Sequence, residues 1–186
     1  MPLAGLPSPV ESLPYGASNA LMEQFGSDNA GDDMGKTFGS VNEVLDFAIA
    51  REIEASEFYT ALAGRMDSPA MRQAFLDFAR EEQGHRARLE AVKRGEYSFG
   101  SGAKRVQGLG LAEYLVEGKF LDDMTYAEAL VLAMKKEKAA FRLYMDLAEA
   151  AESEGLRSLF LSLADQEAKH KLRFEIEYDD HVLKED

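Results

Sequence analysis

The sequence contains no cysteine, and that one absence excludes disulfides, zinc knuckles, iron–sulfur centres and thiol catalysis together. Proline is almost confined to the start: four of the five lie within the first 39 residues and the fifth is Pro69, so little interrupts helices in the rest. The alternating Val and Ile runs that a sheet needs are missing. Apolar runs are short, and the longest, Ala129 to Met134, is about a third of the roughly 18 residues a membrane span requires. Basic charge is scarce as well. The 21 Lys and Arg stand against 34 Asp and Glu, giving a net charge of −13 and a pI near 4.7. Nucleic acid and anionic membranes repel such a polyanion, which leaves cations and small molecules as ligands. Histidine occurs three times in 186 residues.

What is present is apolar mass in helical register. At 186 residues and 46% hydrophobic content the chain can build one core and is short for two. Residues 1–39 are rich in proline and glycine and lack periodicity, so they read as an extended or disordered arm; residues 40–186 read as the domain. The opening MPLAGLPSPVESLPYG has prolines where a secretory signal has its apolar stretch and no basic start, which predicts a cytoplasmic protein. Ser40 with Glu43 forms a capping pair, and the first helix runs from there to about Gly64. Ser68 before Pro69 starts a second helix that continues to about Arg94. A glycine-rich connection follows, with a short helix near Leu111 to Glu117, until Thr125 with Glu128 caps a third helix reaching about Ala151. A break at Ser153 and Gly155 leads into a fourth helix ending near Asp180. Two short links and one long one predict an all-α four-helix bundle with a long crossover between helices 2 and 3.

Sliding the chain on itself by 85 residues aligns the first hairpin with the second without a gap, and 14 of the 39 positions from Glu52 to Glu90 then match. Amphipathic hairpins share leucines and alanines for trivial reasons. The matches of Glu52 with Glu137, Glu82 with Glu167 and His85 with His170 need another reason. All six fall in the apolar stripes of their helices, at steps of three and four from residues such as Phe75, Phe78, Phe160 and Leu163. Four uncompensated carboxylates in a core would cost several kcal/mol each. The stripes hold no Lys or Arg, whereas two divalent cations would balance four carboxylates and two neutral imidazoles would complete their shells. A glutamate from each of two helices and Glu-x-x-His from the other two is the donor pattern of dimetal carboxylate bundles. Carboxylate and imidazole suit iron and manganese alike, so the metals can be iron, manganese or a mixture. A bundle that binds metal only incidentally is the bland alternative.

In the segments AREIEASEFYTALA, FAREEQGH, MKKEKAAFRLYMDLA and LADQEAKHKLRFEIEYDD, the chain resembles the ferritin-like superfamily and, within it, rubrerythrin-type diiron domains, over about residues 40 to 182. The resemblance implies a ferritin-like bundle holding two iron ions, bridged by Glu82 and Glu167, with Glu52 and Glu137 terminal and His85 and His170 each on one metal. It implies Tyr59 and Tyr144 as hydrogen-bond donors beside these ligands. The implied activity is reduction of peroxide or dioxygen. Because the cysteines of a rubredoxin domain are missing, a separate donor protein must supply the electrons. A ferroxidase or iron-handling role is the alternative, and a homodimer or higher homo-oligomer is expected. Two further departures are Ala140, where rubrerythrins carry another ligand glutamate, and an end at Asp186 that leaves no room for the closing helix of storage ferritins. His181, the run Lys135, Lys136 and Lys138, and the acidic tail read as solvated surface.

Overall fold

The computed structural model describes residues 36–116, 118 and 123–181. The expected arm through residue 35, the side chain of His181 and the acidic tail lie outside the described residues. Four long helices carry the fold: α1 Val41–Gly64, α2 Pro69–Ala91, α3 Tyr126–Ala150 and α4 Glu154–His181. The protein is all-α. Its one piece of β pairing among the described residues is an isolated bridge from Thr37 to Gly110.

The helix starts follow their capping chemistry. Ser40 Oγ accepts from the Glu43 amide, while the Glu43 carboxylate reaches one residue further back than a capping box requires, to the Gly39 amide at 2.7 Å. At α3 the box is complete, with the Glu128 amide donating to Thr125 Oγ1 at 3.2 Å and the Thr125 amide to Glu128 at 2.8 Å. Ser153 Oγ accepts from the Leu156 amide at 3.2 Å and so starts α4. Beyond Ala91, α2 loosens into a wider turn, Val92–Glu96, that ends where Gly95 takes φ of +89°.

The crossover is not one short helix near Leu111. It has a 3-10 turn at Gly100–Gly102, a short helix at Ala103–Gln107 and a second 3-10 turn at Leu111–Glu113, because the glycines at 100, 102, 108 and 110 break any longer run. Gly102 lies so close to the carbonyl of Ala150 that a Cβ there would stand 1.9 Å from it, which presses the crossover onto the end of α3. Residues 36–38 run alongside: Phe38 donates to the Leu109 carbonyl and the Leu111 amide to that of Lys36. Phe38 itself is buried against Phe47 and Tyr114.

α1 packs along α2 and α3 along α4, whereas α1 and α3 touch at few points. Two apolar clusters fill the two ends of the bundle. One gathers Val44, Leu45 and Phe47 with Leu89, Leu143, Leu147 and Phe160; the other gathers Phe58, Leu62 and Phe75 with Leu130, Ala133 and Phe174. In every helix the candidate metal ligands fall between these two sets, so the clusters close a polar layer at the waist from above and below.

Candidate metal centre

Glu52, Glu82, His85, Glu137, Glu167 and His170 are all buried, none with more than 3% exposure. They form two overlapping groups whose ligand atoms lie within 4.8 Å of one another: Glu52, Glu82, His85 and Glu167 in one, and Glu82, Glu137, Glu167 and His170 in the other. Glu82 and Glu167 belong to both. The imidazole rings lie 5.9 Å apart and nearly parallel, at 17°, related as the duplication predicts.

Each histidine is fixed by its outer nitrogen. His85 Nε2 meets Gln166 Oε1 at 2.9 Å and His170 Nε2 meets Glu81 Oε2 at 2.7 Å, so each ring is held by the opposite hairpin with Nδ1 turned inward. His85 Nδ1 lies 2.7 Å from Glu167 and 2.9 Å from Glu82; His170 Nδ1 lies 2.9 Å from Glu82. These contacts lie at ion-pair distance but fall short of hydrogen-bond geometry. Among the described residues, Glu82 Oε1 and Oε2, Glu167 Oε1 and both Nδ1 atoms are buried without a hydrogen-bond partner. Lone pairs that crowd together yet miss one another converge on points between the side chains, as metal ligands do, and leaving them orphaned would be costly. The donor set therefore fits two cations.

Tyr59 donates to Glu137 Oε1 and Tyr144 to Glu52 Oε1, each hydroxyl serving the carboxylate on the other hairpin. The second oxygens, Glu52 Oε2 and Glu137 Oε2, then face His85 Nδ1 at 3.6 Å and His170 Nδ1 at 3.7 Å. Among the protein groups alone, burial pushes the Glu52 and Glu167 carboxyls well up, with neighbouring carboxylates adding to the effect. Burial also opposes a charged Glu82, but the two histidines against it win and hold it down at about 2. Burial works against a charged imidazole too, yet the carboxylates around His85 push it far above its usual range, and Glu137 and Glu82 push His170 up to about 11. Cations and protonated imidazoles thus compete for the same negative charge.

The structure brings together all eight side chains expected from the sequence. Four neighbours were not expected: Glu81 and Gln166 behind the histidines, and Arg51 and Lys136 beside the terminal glutamates. Lys136 is not on a solvated face, unlike its exposed neighbours Lys135 and Lys138. Its side chain is 16% exposed, because the stem lies along the α1–α3 gap and the ammonium reaches Glu54 at 3.4 Å. Arg51 is 20% exposed and binds the same Glu54 at 3.1 Å. The repeat holds a signal for both pairs: under the 85-residue shift Arg51 falls on Lys136 and Glu81 on Gln166, conserving character rather than identity.

The family model for rubrerythrin matches the chain in two segments, residues 43–99 and 128–186. Two solved structures share the fold. A protein from Pyrococcus furiosus described as hypothetical is 26% identical, with a TM-score of 0.58 over 74% of this chain and 87% of that one. A protein from Thermotoga maritima described as ferritin-like diiron-carboxylate is 22% identical, with a TM-score of 0.62 over 78% of this chain and 98% of that one. No curated protein matches the chain.

Proposed function

The chain belongs to the rubrerythrin family, and from that premise we propose a cytoplasmic diiron oxidoreductase that reduces peroxide, or dioxygen, with electrons from a separate donor protein. One observation carries the reading. Five buried ligand atoms on Glu82, Glu167, His85 and His170 have no hydrogen-bond partner although they crowd within 2.7 to 2.9 Å of one another. Glu82 and Glu167 would bridge two iron ions, Glu52 and His85 completing one position and Glu137 and His170 the other.

When bound, the iron supplies the two electrons that split an O–O bond, and peroxide with two protons leaves as two waters. The protein does the rest. Tyr59 and Tyr144 hold the outer oxygens of Glu137 and Glu52, which keeps the inner oxygens aimed at the centre. Gln166 and Glu81 fix the imidazoles with Nδ1 inward. The apolar clusters at either end keep bulk water from the layer, so charge interactions inside it are strong. Ala140 offers no further carboxylate on α3, so the same six ligands serve throughout.

Anaerobic loading with Fe(II) followed by separate additions of H2O2 and O2 tests the reading. Faster oxidation by peroxide, followed optically, is expected; equal rates would sink the peroxidase assignment. Excess aerobic iron should plateau near two ions per chain, and continued uptake would favour storage.

A further inference from the structure

The gap between α1 and α3 is a cleft that reaches the metal layer. Glu52, Glu82, Glu137 and Glu167 form its floor, and the small side chains Ala55, Ala139 and Ala140 keep it open. Arg51 and Lys136 line its walls. Their charge is only partly used. Both nitrogens that bind protein bind one carboxylate oxygen, Glu54 Oε2, from Arg51 Nη1 at 3.1 Å and from Lys136 Nζ at 3.4 Å. Among the described residues, Arg51 Nε and Nη2 are buried and have no hydrogen-bond partner, although the guanidinium lies 5.1 Å from the Phe47 ring. Two cations against one carboxylate leave a surplus of one positive charge in the walls of the cleft. Burying two donors without an acceptor is unfavourable, and an anionic ligand would offset that.

We propose that this cleft is a binding site for a small monoanion, with Arg51 and Lys136 as its cationic pair, through which anionic ligands reach the metal centre. The inference rests on the dimetal reading, because four glutamates neutralised by two divalent ions give a floor that no longer repels an anion. Size limits the ligand. The free space is about 30 Å³, which suits a small ligand: a hydroperoxide anion, or azide or formate as probes. The opposite side of the centre is unsuited to anions, since Glu81 and Gln166 turn oxygen atoms toward His170 and His85 there.

The test uses the full chain loaded with redox-inert Co(II), its metal content measured by elemental analysis and azide binding followed by calorimetry and the cobalt visible spectrum. Arg51→Gln and Lys136→Gln should each weaken azide by about tenfold or more, the loss of one charge-assisted hydrogen bond, at unchanged cobalt content. Arg51→Lys, which keeps the charge, should recover most of the affinity, and Arg142→Gln, exposed on the helix of Lys136, should leave it unchanged. Azide affinity within twofold of the parent in both glutamine variants overturns the anion site. A parent that binds no cobalt overturns the metal reading beneath it. Should one variant lose cobalt, the other and the charge-conserving Arg51→Lys still decide the outcome.

Discussion

In the first hairpin the residue before the shared glutamate is Glu81, a carboxylate on His170; in the second it is Gln166, a neutral amide on His85. The same offset pairs Arg51 with Lys136 and Glu54 with Ala139. The six inner residues are identical in the two copies, and the shell just outside them is not. A carboxylate behind a ligating imidazole makes it a more basic donor than an amide does. Under the proposed dimetal reading the two positions would be alike in donors and unlike in strength, and the position on His170 should be the tighter.

The largest effect tests what the hairpins share. Glu82→Ala or Glu167→Ala should each remove both metals, whereas Glu52→Ala or Glu137→Ala should remove one, read as metal per chain. In the metal-free protein the shared pair should part company. Glu82 touches both imidazoles at 2.9 Å, whereas Glu167 lies 2.7 Å from one and 3.8 Å from the other. Glu167→Met should raise the melting temperature and Glu82→Met lower it, since only the first relieves an unwelcome charge.

Next comes pH. His170 is raised from 6.5 to about 11 and His85 is raised further, so the stability they give the metal-free chain is fully present below pH 6.5 and lost as pH rises through about 11. Glu52 and Glu167, also raised, lose stability in the same direction from the ordinary carboxylate range upward. Calorimetry in chelator should show melting fall steadily above pH 6.5. The loaded protein should lack this decline, because its imidazoles are already neutral, and metal affinity should rise with pH.

The difference between the copies is sharpened by Glu81→Gln, which should weaken the His170 position by about tenfold and bring the two sites together. Gln166→Glu should strengthen the other. Stepwise Co(II) titration by calorimetry reads both, and unchanged affinities would erase the asymmetry. The smallest effect belongs to the tyrosines. Tyr59→Phe and Tyr144→Phe should each cost about 1–2 kcal/mol of stability in the loaded protein, equally for the two, as measured by denaturant unfolding.

Much of this was legible in the sequence because it is local. A Ser or Thr cap starts each of the four long helices, at Ser40, Ser68, Thr125 and Ser153, and the period of three and four that puts Phe75 inside puts Glu82 and His85 inside as well. The duplication then paired the ligands. What escaped depends on how the helices are rotated and spaced. Lys136 looks like part of a basic run until the small side chains of Ala55, Ala139 and Ala140 leave a cleft between α1 and α3 for its stem to lie in. Glu81 and Gln166 look like surface residues until the opposite hairpin brings a histidine to each. The crossover's turns, set by glycines and by Phe38 reaching in from far along the chain, had no periodic signal to announce them.

The hairpin division also sets an order of events in folding. The contacts that are close along the chain lie within each hairpin, where they form early, while those between hairpins must wait for the crossover to close. Each hairpin carries only two glutamates and one histidine of the set, and neither alone has to bury a crowded cluster of charge. The repulsion arises at docking, in the final step, and a cation present at that moment would lower the barrier it creates. Metal supply would then govern how fast the chain matures, and not only whether the finished protein carries its centre.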